Sequence, residues 1–287
     1  MTAPILKAAA PASDEDVPSA YAVAHEHRAA RVTPNTSEAG TRVLANEVPV
    51  ALEFDGQPYA VMMLTPADLE DFAVGFALSE RIIANPQEIA RIDIRYGARG
   101  IGMDVRLERE HSARLAERRR SLAGQSGCGI CGLTTIEEAL PELQPLTSAP
   151  AISEAALFRA LAALPDRQSL NRQTGAVHAA SFCATNGDIL AVREDVGRHN
   201  AFDKVIGHMA RQAIEPDAGF ALLTSRCSYE LVQKAVLARI SVLVTISAPT
   251  ELAVTMAKGA NLTLVALARS DSVLVFNNPC EIMVKSF

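Results

Sequence analysis

In the second half of the chain, helix and strand signals take turns, and that alternation limits the fold more than any other feature. An alanine-rich amphipathic stretch at 153–164 predicts a helix. Apolar runs at 177–184 and 189–192 flank Asn186-Gly187, a hairpin signal. A helix is predicted over 199–212, then strand 220–224, helix 229–238, strand 242–247, helix 251–258 and strands 262–267 and 273–276. Strands that alternate with helices bury their apolar faces as layers, with helices covering a sheet whose strands are partly parallel. The expected class is α/β.

The first half reads differently. Two apolar runs, 48–54 and 58–64, meet at Asp55-Gly56 as a hairpin. Thr65-Pro66-Ala67-Asp68 reads as a capping box with proline at the first helical position. Leu69, Phe72, Ala73 and Phe76 follow at helical spacing, so this helix is expected to lie on the hairpin. Strands are predicted at 89–96 and 101–107 around Gly97 and Gly100, and a short helix at 135–140. Pro141, Pro145 and Pro150 mark a linker. The organisation expected is a disordered tail over 1–35, an N-terminal α+β part over 36–145, and a larger α/β domain over 150–287.

Bulk properties narrow the function classes. A chain of 287 residues with 49% apolar and 21% charged residues has ample core for a globular protein. A formal charge of -6 gives no sign of nucleic-acid binding. No stretch nears the roughly 20 apolar residues of a membrane helix, and Asp14, Glu15 and Asp16 interrupt any secretory pattern. Five scattered cysteines (128, 131, 183, 227 and 280) argue against a disulfide framework and for a reducing compartment. The expected location is the cytoplasm.

Two of those cysteines stand at CxxC spacing in Ser126-Gly-Cys128-Gly-Ile-Cys131-Gly132. Three glycines in so short a run predict a loop. Upstream, Arg114, Arg118, Arg119 and Arg120 face only Glu117. Cationic neighbours favour thiolate over thiol, so the residues point to a reactive sulfur nucleophile. Zinc is a rival, but zinc wants about four ligands, and no second CxxC or HxxxH exists. His178-Ala179-Ala180 lacks the glutamate of zinc deaminases. No metal site is expected. A thioredoxin-type motif would open a helix straight after a strand, which this one does not.

Three polar clusters follow predicted strands: Arg193 to Asn200, Thr224-Ser225-Arg226, and Ser247-Ala248-Pro249-Thr250. Strand carboxyl ends that lead into helices favour anions, and Arg193 and Arg198 offer two guanidinium groups for phosphate. Taken singly, each cluster is better explained by plain turn and capping chemistry; three together in one half bring the two readings level. Cys183 and Cys227 read as packed small residues, and His199 as either a phosphate contact or a structural histidine.

These stretches carry a family resemblance. Arg193-Glu-Asp-Val-Gly-Arg-His-Asn-Ala201, Ser121-Leu-Ala-Gly124 with Gly127-Cys-Gly-Ile-Cys-Gly132, Ser225-Arg226, Ile246-Ser-Ala-Pro-Thr250 and Thr65-Pro-Ala-Asp-Leu-Glu-Asp-Phe72 resemble the FdhD family, accessory sulfurtransferases of formate dehydrogenase. The resemblance implies a cytidine-deaminase-like layered α/β fold with a smaller N-terminal α+β part, assembled as a homodimer. It implies a persulfide on Cys128, with Cys131 assisting, loaded by a cysteine desulfurase. The cargo it implies is molybdenum bis(molybdopterin guanine dinucleotide), with a guanine nucleotide as analogue. It places that cofactor against Leu267, Ala268, Arg269, Ser270, Asp271 and Ser272, and makes the formate dehydrogenase catalytic subunit the recipient. The alternative is a cofactor-binding chaperone that moves no sulfur.

Overall fold

The structure, a computed structural model, describes residues 17–108, 140 and 142–279. The cysteine loop with Cys128 and Cys131, the arginines at 114–120 and the predicted helix 135–140, apart from Leu140, lie outside the described residues.

The described residues build three sheets. Strands β1 (Ala24–Val32) and β2 (Ser37–Ala45) pair antiparallel as a hairpin of their own. The second sheet holds β3 (Val48–Phe54), β4 (Gln57–Leu64), β5 (Ile89–Tyr96) and β6 (Ile101–Leu107) in the order β4-β3-β6-β5, with β3 and β6 parallel. Val48, Val50, Leu52 and Phe54 alternate inward along β3, the period-2 pattern of a sheet with one covered face. Helix α1 (Leu69–Ser79) covers that face through Phe72 and Phe76. Nearly all of α1 is buried, because its other side packs on the C-terminal half of the chain.

That half is a six-stranded sheet between helices. In chain order come α2 (Glu154–Arg167), α3 (Ser169–Thr174), β7 (His178–Ala184), β8 (Ile189–Asp195), α4 (Arg198–Arg211), β9 (Gly219–Leu223), α5 (Tyr229–Leu237), β10 (Val242–Thr245), α6 (Glu251–Gly259), β11 (Thr263–Ala266) and β12 (Leu274–Asn277). The sheet order is β12-β11-β10-β9-β7-β8. Strands β9, β10 and β11 are parallel, and β7 runs against both of its neighbours. Every residue of β9, β10 and β11 is buried, as parallel strands covered on both faces must be. Helices α4, α5 and α6 bury Phe202, Leu231 and Ala253 on one face. Leu157, Leu161 and Leu164 of α2 pack against Phe220, Leu222 and Val244 on the other. The partly parallel, layered α/β class expected from the alternation is what forms.

Helices α1 and α4 touch backbone to backbone. A Cβ added at Gly75 would lie 1.8 Å from the Asp203 carbonyl oxygen, and one at Gly207 would lie 1.8 Å from that of Asp71. Around this crossing, Asp71 accepts from Arg193 Nε at 2.8 Å and Arg211 Nη1 at 2.5 Å. Asp203 accepts from Ser79 Oγ at 2.7 Å and Lys234 Nζ at 2.8 Å. Burial alone would push the Asp71 carboxyl up. Hydrogen bonding from His208, the charge of Arg193 and hydrogen bonds from Arg211 and Arg193 overcome it and hold the group at about 2.

Two expectations are corrected. Residues 24–35 belong to a hairpin rather than a disordered tail reaching 35. Most of the hairpin is exposed, so its strands carry none of the alternation that reveals a half-buried strand. Helix α1 starts at Leu69, not at Pro66. Thr65 is fully buried and drawn away from capping: its N–H donates to Asp195 Oδ2 at 3.0 Å and its Oγ1 accepts from Val196 N at 3.2 Å. Asp68 fills the N-cap position in left-handed backbone (φ 52) without a side-chain cap.

Two outcomes follow from the crossing. Gly75→Ala or Gly207→Ala should lower the stability by about 3 kcal/mol, the overpacking cost, whereas Gly259→Ala, which meets nothing within 4 Å, should be neutral or gain up to about 1 kcal/mol; thermal unfolding measures both. Asp71 has a folded pKa below its unfolded value, so its contribution is full above about 3.8 and is lost as pH falls toward about 2. The stability gap between wild type and Asp71→Asn in denaturant titrations should therefore shrink by about 2 kcal/mol over that window.

Candidate functional site at the strand carboxyl ends

The topology brings five chain segments to one edge of the large sheet. The parallel strands β9, β10 and β11 all end there, at Leu223, Thr245 and Ala266. Because β7 is antiparallel to β9, it begins at the same edge, and His178 pairs in register with Asp195 at the end of β8. Ligands of open α/β sheets bind outside such carboxyl ends.

The turns on this edge are bonded to one another through backbone groups. Ile246 N donates to Leu223 O at 2.9 Å, Cys227 N to Ala248 O at 3.2 Å and Thr250 N to Cys227 O at 2.9 Å. Leu267 N reaches Ser247 O at 3.3 Å, and Ala268 N reaches Thr245 O at 3.2 Å. The segment Leu267 to Ser272 turns with Leu267 in left-handed backbone (φ 51) and is closed by Arg269 N donating to Ser272 O at 2.8 Å. Within it Ala268 is buried, while Arg269, Ser270, Asp271 and Ser272 are exposed. The Arg269 guanidinium folds back on the carbonyls of Ile246 and Ala268. So Leu267 to Ser272, Ser247 to Thr250 and Thr224 to Arg226 do share one edge.

At the β7 and β8 end of this edge the charge is positive. Burial lowers the pKa of His178, and the positive charges of Arg198, His199 and Arg226 lower it further against the opposing charge of Asp195. His199 Nε2 lies 3.3 Å from Glu230 Oε2 and 3.4 Å from Ser228 Oγ. Burial would raise the Glu230 carboxyl, yet hydrogen bonds from His199 and Ser228, with the charges of His199 and Arg198, bring it to about 2. The Arg198 Nε is buried with no hydrogen-bond partner among the described residues. Helix α4 starts there at Gly197 with no side-chain cap and no acidic residue in its first turn.

The stretch Arg193 to Asn200 divides its labour. Arg193 does not face the edge: it pairs with Asp71 and Asp68 and approaches His208 Nδ1 at 2.6 Å. Its expected phosphate role is replaced by a structural one, because a buried carboxylate from α1 lies across from it. Glu194 accepts from the N–H groups of Leu170 and Asn171, both at 2.8 Å, and so holds the start of α3. Asp195 and Lys204 form a fully buried ion pair at 2.7 Å. The remaining lone pairs of Asp195 are filled by Thr65 N, Gly197 N and Asn200 Nδ2. Only Arg198 and His199 of this stretch turn toward the edge. His178, Arg226 and Glu230 join them from elsewhere. A lone strand-opening histidine gave no hint of this, since only the register of β7 on β8 sets it beside α4.

Both described cysteines are buried, and burial pushes the thiols of Cys183 and Cys227 up to about 12. Neither supplies a thiolate at neutral pH. Cys128 and Cys131 lie outside the described residues.

Comparison with known proteins places these features in context. The model of the FdhD/NarQ family matches residues 45–283. The chain is 48% identical over 237 residues to the sulfur carrier protein FdhD of Xanthomonas campestris pv. campestris, covering 83% of this chain and 84% of that one. It is 46% identical over 236 residues to that of Variovorax paradoxus, covering 82% and 85%. In three dimensions it resembles the crystal structure of a candidate formate dehydrogenase accessory protein from Desulfotalea psychrophila. The TM-score is 0.73 at 24% identity, over 91% of this chain and 100% of that one, a likeness of fold.

The site analysis separates structural from exposed cations. Lys204→Met strands the Asp195 charge and should cost about 3–5 kcal/mol, while Arg226→Gln, on the exposed edge, should stay within about 0.5 kcal/mol of wild type; urea unfolding midpoints read the difference.

Proposed function

The chain belongs to the FdhD/NarQ family, and on that premise we propose that it is a sulfur carrier, a sulfurtransferase that serves formate dehydrogenase. The Cys128 thiolate attacks the outer sulfur of a persulfide on a cysteine desulfurase. A sulfur–sulfur bond forms at Cys128, and the desulfurase cysteine leaves as its thiolate. Cys131, three residues on, assists. The sulfur is then destined for molybdenum bis(molybdopterin guanine dinucleotide), the cargo, whose recipient is the formate dehydrogenase catalytic subunit. The protein acts in the cytoplasm as a homodimer. In this reading the six-stranded sheet, with β7 opposed to its neighbours, is the core of a cytidine-deaminase-like layer.

The observation that carries this reading is the chemistry of the cysteines. Two of the five are sealed in the core with thiols near 12. That leaves the carrier role to Cys128 and Cys131, in the arginine-flanked CxxC stretch, ahead of Cys280 near the end of the sequence. The strand-end edge suits the cargo: its bonded turns offer a firm surface, and Arg198, Arg226 and Arg269 offer positive charge to pyrophosphate groups. When bound, the dinucleotide would rest against Leu267 to Ser272, and the molybdenum would accept the sulfur. A cofactor chaperone without sulfur transfer would use the same edge.

Mass spectrometry after incubation with a cysteine desulfurase and cysteine separates the two. An adduct of about 32 Da, one sulfur atom, is expected on Cys128 and absent from Cys128→Ala. That variant should also leave formate dehydrogenase inactive in a strain lacking the wild-type protein. Absence of any adduct at position 128 of the wild-type protein would reject sulfur carriage in favour of the chaperone.

A further inference from the structure

Helices α4 and α5 begin at the carboxyl edge of the large sheet and end at the opposite one. There a cavity of about 560 Å³ opens between the ends of α1, α4 and α5 and the turns Pro86–Glu88 and Pro216–Ala218. Its volume falls within the roughly 300–1,000 Å³ of pockets that take small organic ligands. Both cores wall it. Ile82 and Ile83 belong to the core of the first half, Ile206 and Met209 to that of the six-stranded sheet with Ile214 against it, and Leu78 packs on both. Water on such walls finds few partners, so an apolar chain that displaces it gains free energy. The rim is built differently. Each helix leaves through a residue in left-handed backbone: Arg81 (φ 55) after α1, Ala213 (φ 51) after α4 and Arg239 (φ 60) after α5. The isoleucine after each donates back into its helix, Ile82 N to Ala77 O at 2.8 Å, Ile214 N to Met209 O at 2.9 Å and Ile240 N to Ala235 O at 2.8 Å. These bonds fill carbonyls that a helix end otherwise leaves open, so less of each helix's negative end faces the cavity. The charged residues that line it are Arg81, Arg239 and Glu215. Two arginines to one glutamate give the rim a positive balance. Arg239 is exposed, and its side chain forms no ion pair among the described residues.

We propose that this cavity binds a single-chain aliphatic carboxylate, with a chain of about ten carbons against Leu78, Ile206 and Met209 and the carboxylate on Arg239. An apolar floor beside an unmatched guanidinium suits a molecule that is apolar along its length and anionic at one end. A neutral hydrocarbon would leave Arg239 unused, and a phosphate would gain nothing from the floor. Because the walls come from both cores, the bound chain bridges the first half and the large sheet. It therefore stabilises the folded protein against unfolding. The site stands apart from the carboxyl edge, and neither sulfur carriage nor a nucleotide enters its argument.

Calorimetric titration of the full chain with decanoate (kept below micelle formation), decan-1-ol and acetate tests it. Wild type should bind decanoate about tenfold more tightly than decanol, the worth of one charge-assisted contact, and acetate not measurably. Decanoate should also raise the unfolding temperature. Arg239→Gln should weaken decanoate by about tenfold and leave decanol as in wild type. Ala238→Phe, which adds a ring at a cavity-lining position, should weaken both. Arg99→Gln, an exposed arginine in the turn between β5 and β6, should change neither. Arg239 is exposed, so its variant reports on binding even should Ala238→Phe fold poorly. Decanoate affinity equal in wild type and Arg239→Gln, or equally reduced by Arg99→Gln, would overturn the site. So would absence of decanoate binding to wild type; where sedimentation then shows a dimer that Ala238→Phe splits, the cavity is instead a contact between two copies of the chain.

Discussion

The buried Asp195–Lys204 pair is the interaction on which the rest of the architecture turns. Two charges with no solvent contact are tolerable only when every remaining lone pair and proton is satisfied. Here the satisfying groups come from both halves of the chain. Thr65, at the β4–α1 junction, donates its N–H to Asp195 and offers its carbonyl to Lys204 Nζ at 3.0 Å. Gly197 and Asn200 donate from the β8–α4 turn. Asn200 also donates to Met63 O at 2.9 Å. The pair therefore does more than neutralise itself: it ties the first sheet to the start of α4, the helix whose first turn carries Arg198 and His199.

Such a knot needs the two halves to approach closely, and two glycines permit that. With the Asp203 and Asp71 carbonyls 1.8 Å from where Cβ atoms would stand at Gly75 and Gly207, no other residue fits at either position without separating α1 from α4. Close contact in turn buries Asp71 and Asp203. Each buried carboxylate then draws in a cation: Arg193 and Arg211 for Asp71, Lys234 for Asp203. Close packing and ion pairing are therefore coupled, because a charge buried in the seam is tolerable only beside its partner.

Much of this was legible in the sequence, and the gaps have physical causes. The β3–β4 hairpin was visible from its alternation and Asp-Gly turn, and β7 to β12 from apolar runs punctuated by turn residues. The β1–β2 hairpin was not, because little of it is buried and nothing selects a period. Helix α3 leaves no periodic signal because it has six residues and is held by Glu194, twenty-odd positions away. Thr65 reads locally as a capping residue, since local pattern cannot reveal a buried aspartate across the interface. At the edge, the three polar turns were recognised, but their partition was not. Arg193 and Arg198 look alike in sequence, five residues apart, and β8 and α4 direct them to opposite fates.

That partition splits one short motif between the core and the carboxyl edge. Arg193, Glu194 and Asp195 lie on β8, so their side chains alternate between faces and meet Asp71, the start of α3 and Lys204 in turn. At Gly197 the chain changes from strand to helix, and the next two side chains, Arg198 and His199, emerge at the carboxyl edge instead. A strand-to-helix switch is thus the device that divides the motif: polar residues before it are consumed by the core, and the two after it stand at the edge. Burial of the first group is what permits exposure of the second. Asp195, whose charge reaches His178 as well, is committed to Lys204, so the charge balance at the edge is shaped by how the core is paired, even in a chain whose net charge is -6.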